Sequence, residues 1–265
     1  MKTVEAPVGT RTAALGYLLH LADNALVLGQ RNAEWCGNGP VLEEDIALAN
    51  MSLDLIGQAR MLYQHAAAVA GNGATEDSLA YFRDATDFRN YTLLELPHAS
   101  DSSERDYAVT IVRNFLYSAL MLLLWEALQK SKDAQLAAIA GKSFKEVSYH
   151  FRHSRDWLVR LGDGTAESQA RTQAALKQLM PYTHEYWSPS AIETIANAAG
   201  HAIEVAALKS SWDELVNDAL QEAGLQRPAP GTGLPQGKNG QHSDHLAPLL
   251  AEMQSLARAH PNALW

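Results

Sequence analysis

The chain of 265 residues holds a single cysteine, Cys36. One thiol excludes an internal disulfide framework and any thiolate-clustered zinc or iron-sulfur site built by this polypeptide alone, and it suits a reducing, cytoplasmic setting. Beside Trp35 and Gly37, it reads as a packed side chain rather than a nucleophile. Positive charge is also short. Lys and Arg number 21 against 30 Asp and Glu, a formal charge of -9, so the chain has no overall attraction for nucleic acid or anionic lipid, and protein or small-molecule partners are expected. Long apolar runs are missing too. The most apolar segment, Val109 to Leu128, is interrupted by Arg113 and Asn114, and the remaining run from Phe115 to Trp125 falls below the about 20 residues that a bilayer crossing needs. It reads as a core helix. The N-terminal segment, with Lys2, Glu5 and an apolar stretch from Ala13 broken by His20 and Asp23, does not have the layout of a secretory signal. Glycine-rich phosphate loops, internal repeats and low-complexity tracts are absent.

Hydrophobic residues make up 47% of the chain, enough for a substantial core. They recur at three- and four-residue steps with no sustained alternation, so the fold class is all-α. Four long helices are expected, at about Arg11 to Gln30, Glu43 to Ala70, Asp106 to Lys130 and Ala134 to Leu161. Gly71-Asn72-Gly73 supplies a C-cap signal after the second, and Gly162-Asp163-Gly164 stops the fourth. A polar connection holding Pro97 and the Ser100 to Ser103 cluster separates the two pairs. Two pairs with short internal turns and one long connection match a ferritin-like bundle with a single crossover, although a simple up-down bundle has the same helix count. Further helices follow at about Ala166 to Tyr186, Ser190 to Ala223 and Pro248 to Ala259. The Gly/Pro-rich stretch from Arg227 to Gly240 reads as an extended loop, available to pack on a neighbour. The whole, residues 1–265, is expected to form one helical domain.

A long-helix bundle raises the question of a di-iron centre. Such sites take a Glu from each of two helices and a Glu-x-x-His from each of the other two, because three-residue spacing aims both side chains inward. Of the ten histidines, only His98 has a carboxylate three positions earlier, Glu95, and Pro97 places that pair in a loop. The nearest candidates on the bundle helices are Asp23, Asp54, Glu146 and His150. They form an incomplete set: Gly57 and Tyr149 stand where ligand histidines would, and the third helix offers Ser118 among Ile111, Phe115, Leu122 and Trp125. Their expected role is a hydrogen-bonded polar network, with no metal held. His242 and His245 read as flanking a helix start capped by Ser243 and Asp244. Lys142, Lys145, Arg152 and Arg155 make a basic stripe that could meet phosphates, a solvated face or an acidic partner being the more frequent meaning.

Several strings are unusual as residue combinations: Asp23 to Arg31, Glu34-Trp35-Cys36-Gly37, Ala47 to Asn50, Leu53 to Arg60, Lys145 to His150 and His242 to Gln254. They resemble the C-subunit family of phenylacetyl-CoA epoxidases over nearly the whole chain. The resemblance implies a ferritin-like fold and a structural role without catalytic residues or cofactor of its own. It further implies pairing with a homologous A subunit that carries the di-iron centre, and contact with a B subunit and a reductase. Two other readings remain open at this point. One is an autonomous di-iron oxidase with non-standard ligands at Asp23, Asp54, Glu146 and His150, and the other is a free-standing helical adaptor.

Overall fold

Aliphatic side chains at helical spacing build two antiparallel hairpins of long helices. In the first, α1 (Val8–Ala33) runs against α2 (Leu42–Ala70) across a turn that contains Gly37. The computed structural model describes residues 8–99, 105–229, 231, 234–261 and 263; the Ser100 to Ser103 cluster lies outside them. Glu43, Glu44 and Asp45 occupy the first turn of α2, where carboxylates meet the positive end of the helix dipole. The helix ends as expected at Gly71, in the left-handed region with φ 65°, its N–H donating to the Ala67 carbonyl at 3.0 Å.

The crossover carries two short helices, α3 (Glu76–Tyr81) and α4 (Thr92–Glu95), with a 3-10 turn at Ala85–Asp87 between them. Sequence periodicity points to neither, since six and four residues are too few to set a hydrophobic period. The second hairpin pairs α5 (Tyr107–Leu128) with α6 (Ala134–Gly162), whose N-caps are the Asp106 and Asp133 carboxylates. Among the described residues, α5 is the one helix long and apolar enough to cross a membrane, and 89% of its most apolar window is buried inside the fold. Phe115, Leu120 and Trp125 of α5 are buried in the centre of the core, and Phe115 stacks on Phe151 of α6. Two hairpins joined by one long crossover, with α2 facing α6, give the all-α, ferritin-like arrangement.

The remaining elements wrap this bundle. They are α7 (Ala166–Leu179), a 3-10 segment at Met180–Trp187, α8 (Ala191–Ala199), a 3-10 turn at Val205–Leu208, α9 (Lys209–Glu222), a 3-10 turn at Gly237–Asn239 and α10 (Leu246–Ala259). Two expectations are corrected here. The helix from Ala166 tightens to 3-10 geometry at Pro181 rather than running to Tyr186. The expected helix from Ser190 to Ala223 is broken at Gly200, with φ 83°. The break has a use: the Gly200 carbonyl accepts the Lys132 N–H at 2.9 Å, and the His201 carbonyl accepts the Ser131 hydroxyl at 2.8 Å. A continuous helix would have its carbonyls committed internally and could not clasp the α5–α6 turn.

The Gly/Pro-rich stretch ends by packing on its own chain. The Gly237 N–H donates to the Thr92 hydroxyl at 2.9 Å, and that hydroxyl donates to the Pro235 carbonyl at 3.3 Å. A Cβ at Gly237 would fall 2.3 Å from the Asn90 carbonyl oxygen. Gly237→Ala is therefore expected to lower stability by about 1–3 kcal/mol in urea unfolding. Gly57→Ala, whose Cβ would meet nothing within 4 Å, is expected to lower it not at all.

The candidate metal centre and the buried polar groups

The four residues nearest to a di-iron ligand set are not brought to one point. Asp23, on α1, is fully buried, and both of its oxygens are engaged. The Tyr63 hydroxyl donates to it at 2.6 Å, the Arg89 backbone N–H at 2.8 Å, and the Arg83 guanidinium binds it with two nitrogens. Arg83 reaches in from the crossover and lies 4.3 Å from the centre of the Phe88 ring. Burial alone would depress the guanidinium, but Asp23 outweighs it and holds Arg83 protonated, above its ordinary value. A permanent cation is thus the counter-charge of this buried carboxylate.

The other three candidates line the seam where α2 faces α6. His150, buried, donates through Nε2 to Asp54 at 3.0 Å. One turn along, Gln58 donates to Glu146 at 2.9 Å. The same seam continues with His153 and the Tyr107 hydroxyl on Glu44, at 2.9 and 2.6 Å, and with His65 on Asp133 at 2.7 Å. Burial pushes the Asp133 carboxyl up, and the His65 hydrogen bond, the Leu136 N–H and the His65 charge together bring it below the usual range. Glu44 thus takes two donors, one from α6 and one from α5, while Asp54, Glu146 and Asp133 each take one from across the seam. On the α5 side the expected gap is present: Ser118 meets Ser154 at 3.3 Å among apolar neighbours. Among the described residues no three of the His, Cys, Asp and Glu side chains converge as a metal site would require, and the residues present do not fit a di-iron group.

Glu95 and His98, which sequence spacing places in a loop, are both buried, with Glu95 closing α4. Their side chains diverge. Glu95 accepts from His242 Nδ1 at 2.9 Å, from Asn90 at 3.0 Å and from the Ser243 N–H at 2.6 Å. This corrects the expected capping role of Ser243 and Asp244, since α10 starts at Leu246 with no side-chain cap. Burial would lower His242, but the Glu95 hydrogen bond and charge raise it above an ordinary imidazole. His98 goes the other way. Its Nε2–H donates to the Arg31 carbonyl at 2.7 Å, and its Nδ1 accepts the Thr110 hydroxyl at 2.7 Å, which fixes a neutral tautomer. Burial, then the Arg113 charge, drive its pKa down to about 2.

A further buried group is invisible in the sequence. Lys238 and Glu193 pair at 2.9 Å with side chains 1% and 5% exposed. The Lys238 ammonium also lies 5.5 Å from the centre of the Tyr91 ring. Glu185 accepts the N–H groups of Thr92 and Lys238, each at 2.8 Å, yet burial raises its carboxyl to about 7. So sealed a cluster fastens loops together. The expectation of a packed thiol is corrected as well: Cys36 is exposed, while Trp35 beside it is the packed residue, donating to Thr110 at 2.8 Å.

The chain matches the phenylacetic acid catabolic protein family over residues 1–265. It is similar to the C subunit of the 1,2-phenylacetyl-CoA epoxidase of Escherichia coli strain K12, with 43% identity over 249 residues, 94% of this chain and 98% of that protein.

Two outcomes follow from the geometry. Asp23→Asn leaves Arg83 buried without its counter-charge and is expected to cost about 3–5 kcal/mol in urea unfolding, much of it recovered in the double variant with Arg83→Met. Below the unfolded imidazole value of about 6.5, the unfolded chain binds a proton that folded His98 refuses, so stability falls as pH drops. Between about pH 7 and pH 5, a His98→Gln variant is expected to lose about 2 kcal/mol less than the wild type. For His242 the sign reverses, its contribution being complete below about 6.5 and lost as pH rises through its higher folded value.

Proposed function

The chain belongs to the phenylacetic acid catabolic protein family, and from that premise we propose that it is the C subunit of a phenylacetyl-CoA epoxidase, acting in the cytoplasm in aerobic phenylacetate degradation. In this reading its role is structural. It pairs with a homologous A subunit that holds the di-iron centre and does the oxygen chemistry, while a B subunit and a reductase complete the assembly. The likeness to the Escherichia coli protein across almost the full length of both chains supports the assignment.

The observation that carries the non-catalytic part is the Arg83 guanidinium on Asp23. In this reading the buried carboxylate is answered by a fixed positive charge of the chain's own. A bundle stabilised in that way keeps its outer surface, and a rigid neighbour can hold a catalytic bundle's ligands in place without touching the reaction.

Iron analysis tests it. The chain purified alone is expected to hold no stoichiometric iron. Co-expression with the A subunit of the same genome is expected to give one gel-filtration peak that contains both chains, holds iron and epoxidises phenylacetyl-CoA when the reductase is added. About two irons per chain in the solitary protein, lost together on Glu146→Ala, would instead make it an oxidase in its own right.

A further inference from the structure

We propose that Trp157, Tyr107, Trp35 and Cys36 form an electron relay, which carries oxidising equivalents from a groove beside α5 and α6 to a thiol in the α1–α2 turn. The relay goes beyond the structural role argued above and does not depend on it. Its rings touch in a row. Tyr107, the first residue of α5, lies 5.5 Å from Trp157 of α6 and 5.7 Å from Trp35 of the turn after α1, centre to centre. Both pairs meet edge to face, at 89° and 86°, so the π systems are in direct contact with no saturated side chain between them.

Touching rings alone are ordinary packing, and a proton acceptor sets this row apart. A phenol that loses an electron becomes a strong acid, so a tyrosine away from water is oxidised readily only where a base stands within hydrogen-bond reach. The Tyr107 hydroxyl donates to Glu44 at 2.6 Å, and His153 holds that same carboxylate oxygen at 2.9 Å. Burial, and then the Glu44 hydrogen bond, push the Tyr107 phenol above its ordinary value, so the proton stays on the ring until an electron leaves. A second row of touching rings lacks this provision. Tyr91 and Tyr186 stand 4.7 Å apart, and Tyr186 is 6.2 Å from Trp212, yet both hydroxyls are buried without a hydrogen-bond partner among the described residues. Oxidation there would strand a proton in the core.

The row has an entrance and an exit. Tyr107 and Trp157 line a groove of about 320 Å³, room for a small oxidant. The Arg160 guanidinium lies 5.5 Å from the centre of the Trp157 ring, and a positive charge there makes a ring cation less stable, so a vacancy created on Trp157 moves inward. At the other end Trp35 is buried, while the next residue, Cys36, is exposed and open to external thiols. The steps balance. An oxygen-centred radical in the groove takes one electron from Trp157 and one proton from water, leaving as the hydroxyl compound. Tyr107 returns an electron to Trp157 and passes its phenolic proton to Glu44. Cys36 then supplies an electron through Trp35, the Glu44 proton goes back to the Tyr107 oxygen, and the thiol proton is released to water. A low-molecular-weight thiol gives the Cys36 sulfur a hydrogen atom, so the chain is restored and the radical ends on a small molecule in solution.

Pulse radiolysis of the purified full chain tests the relay, with the azide radical as the probe because it is small and takes electrons from tryptophan before tyrosine. In the wild type the tryptophanyl absorption is expected to convert to tyrosyl absorption at a rate independent of protein concentration. Tyr107→Phe is expected to remove most of that conversion, and Glu44→Gln, which keeps an acceptor but not a base, to slow it about a hundredfold. Tyr186→Phe, in the row without proton acceptors, is expected to leave it unchanged. Cys36→Ser is expected to prolong the tyrosyl radical severalfold. Circular dichroism confirms the fold of each variant, and the exposed Cys36 position keeps the test decisive if Glu44→Gln does not fold. Conversion in Tyr107→Phe at the wild-type yield overturns the relay. So does a tyrosyl lifetime that Cys36→Ser leaves unaltered, since the rings would then lead nowhere.

Discussion

The interior of this bundle is organised by the need to answer a buried negative charge. Asp23 sits at full burial in the middle of α1, where an unpaired carboxylate would be intolerable. Its answer comes from the crossover, sixty residues later, as the Arg83 guanidinium together with the Tyr63 hydroxyl and the Arg89 N–H. Because the cation arrives on an irregular segment, the path of that segment is constrained: it must bring Arg83 over Phe88 and down to α1. The 3-10 turn at Ala85–Asp87 and the one-turn helix α4 are shaped by that task.

The same logic repeats around the crossover. Glu95 is matched by His242, Glu193 by Lys238, and Glu185 by two backbone N–H groups, all fully or nearly buried. None of these pairs lies within a helix of the bundle proper. Along the α2–α6 seam, by contrast, polar residues are matched across two regular helices. The chain thus divides its polar chemistry between a sealed set that holds the crossover and a partly exposed set along the α2–α6 seam.

The long helices are legible because periodic apolar residues and glycine or aspartate caps are local signals, and their observed limits lie within three residues of those expected. The missing Glu-x-x-His motifs are equally readable, being a matter of spacing. What escapes is everything decided by distant partners. Arg83 and Lys238 look like surface cations in sequence, and only the fold shows that each closes on a carboxylate. Gly200 sits in an otherwise helical pattern, and its break is set by the Ser131–Lys132 turn that it clasps. Cys36 and Trp35 share one turn, and one residue of register decides which of the two side chains is exposed. Ser243 and Asp244 have the composition of a cap, yet the Ser243 hydroxyl oxygen accepts the His245 N–H, short of the first turn of α10.

The fastening of residues 235–243 onto the crossover also bears on how the polypeptide is made. Its acceptors, Thr92, Glu95 and Glu185, leave the ribosome long before Gly237, Lys238 and His242 are synthesised. Until then the nascent bundle holds carboxylates whose partners do not yet exist, so residues 235–243 act as a clasp that closes late. A chain terminated before the clasp would have every bundle helix and still lack a settled interior, and in the cell such a product would be handed to quality control.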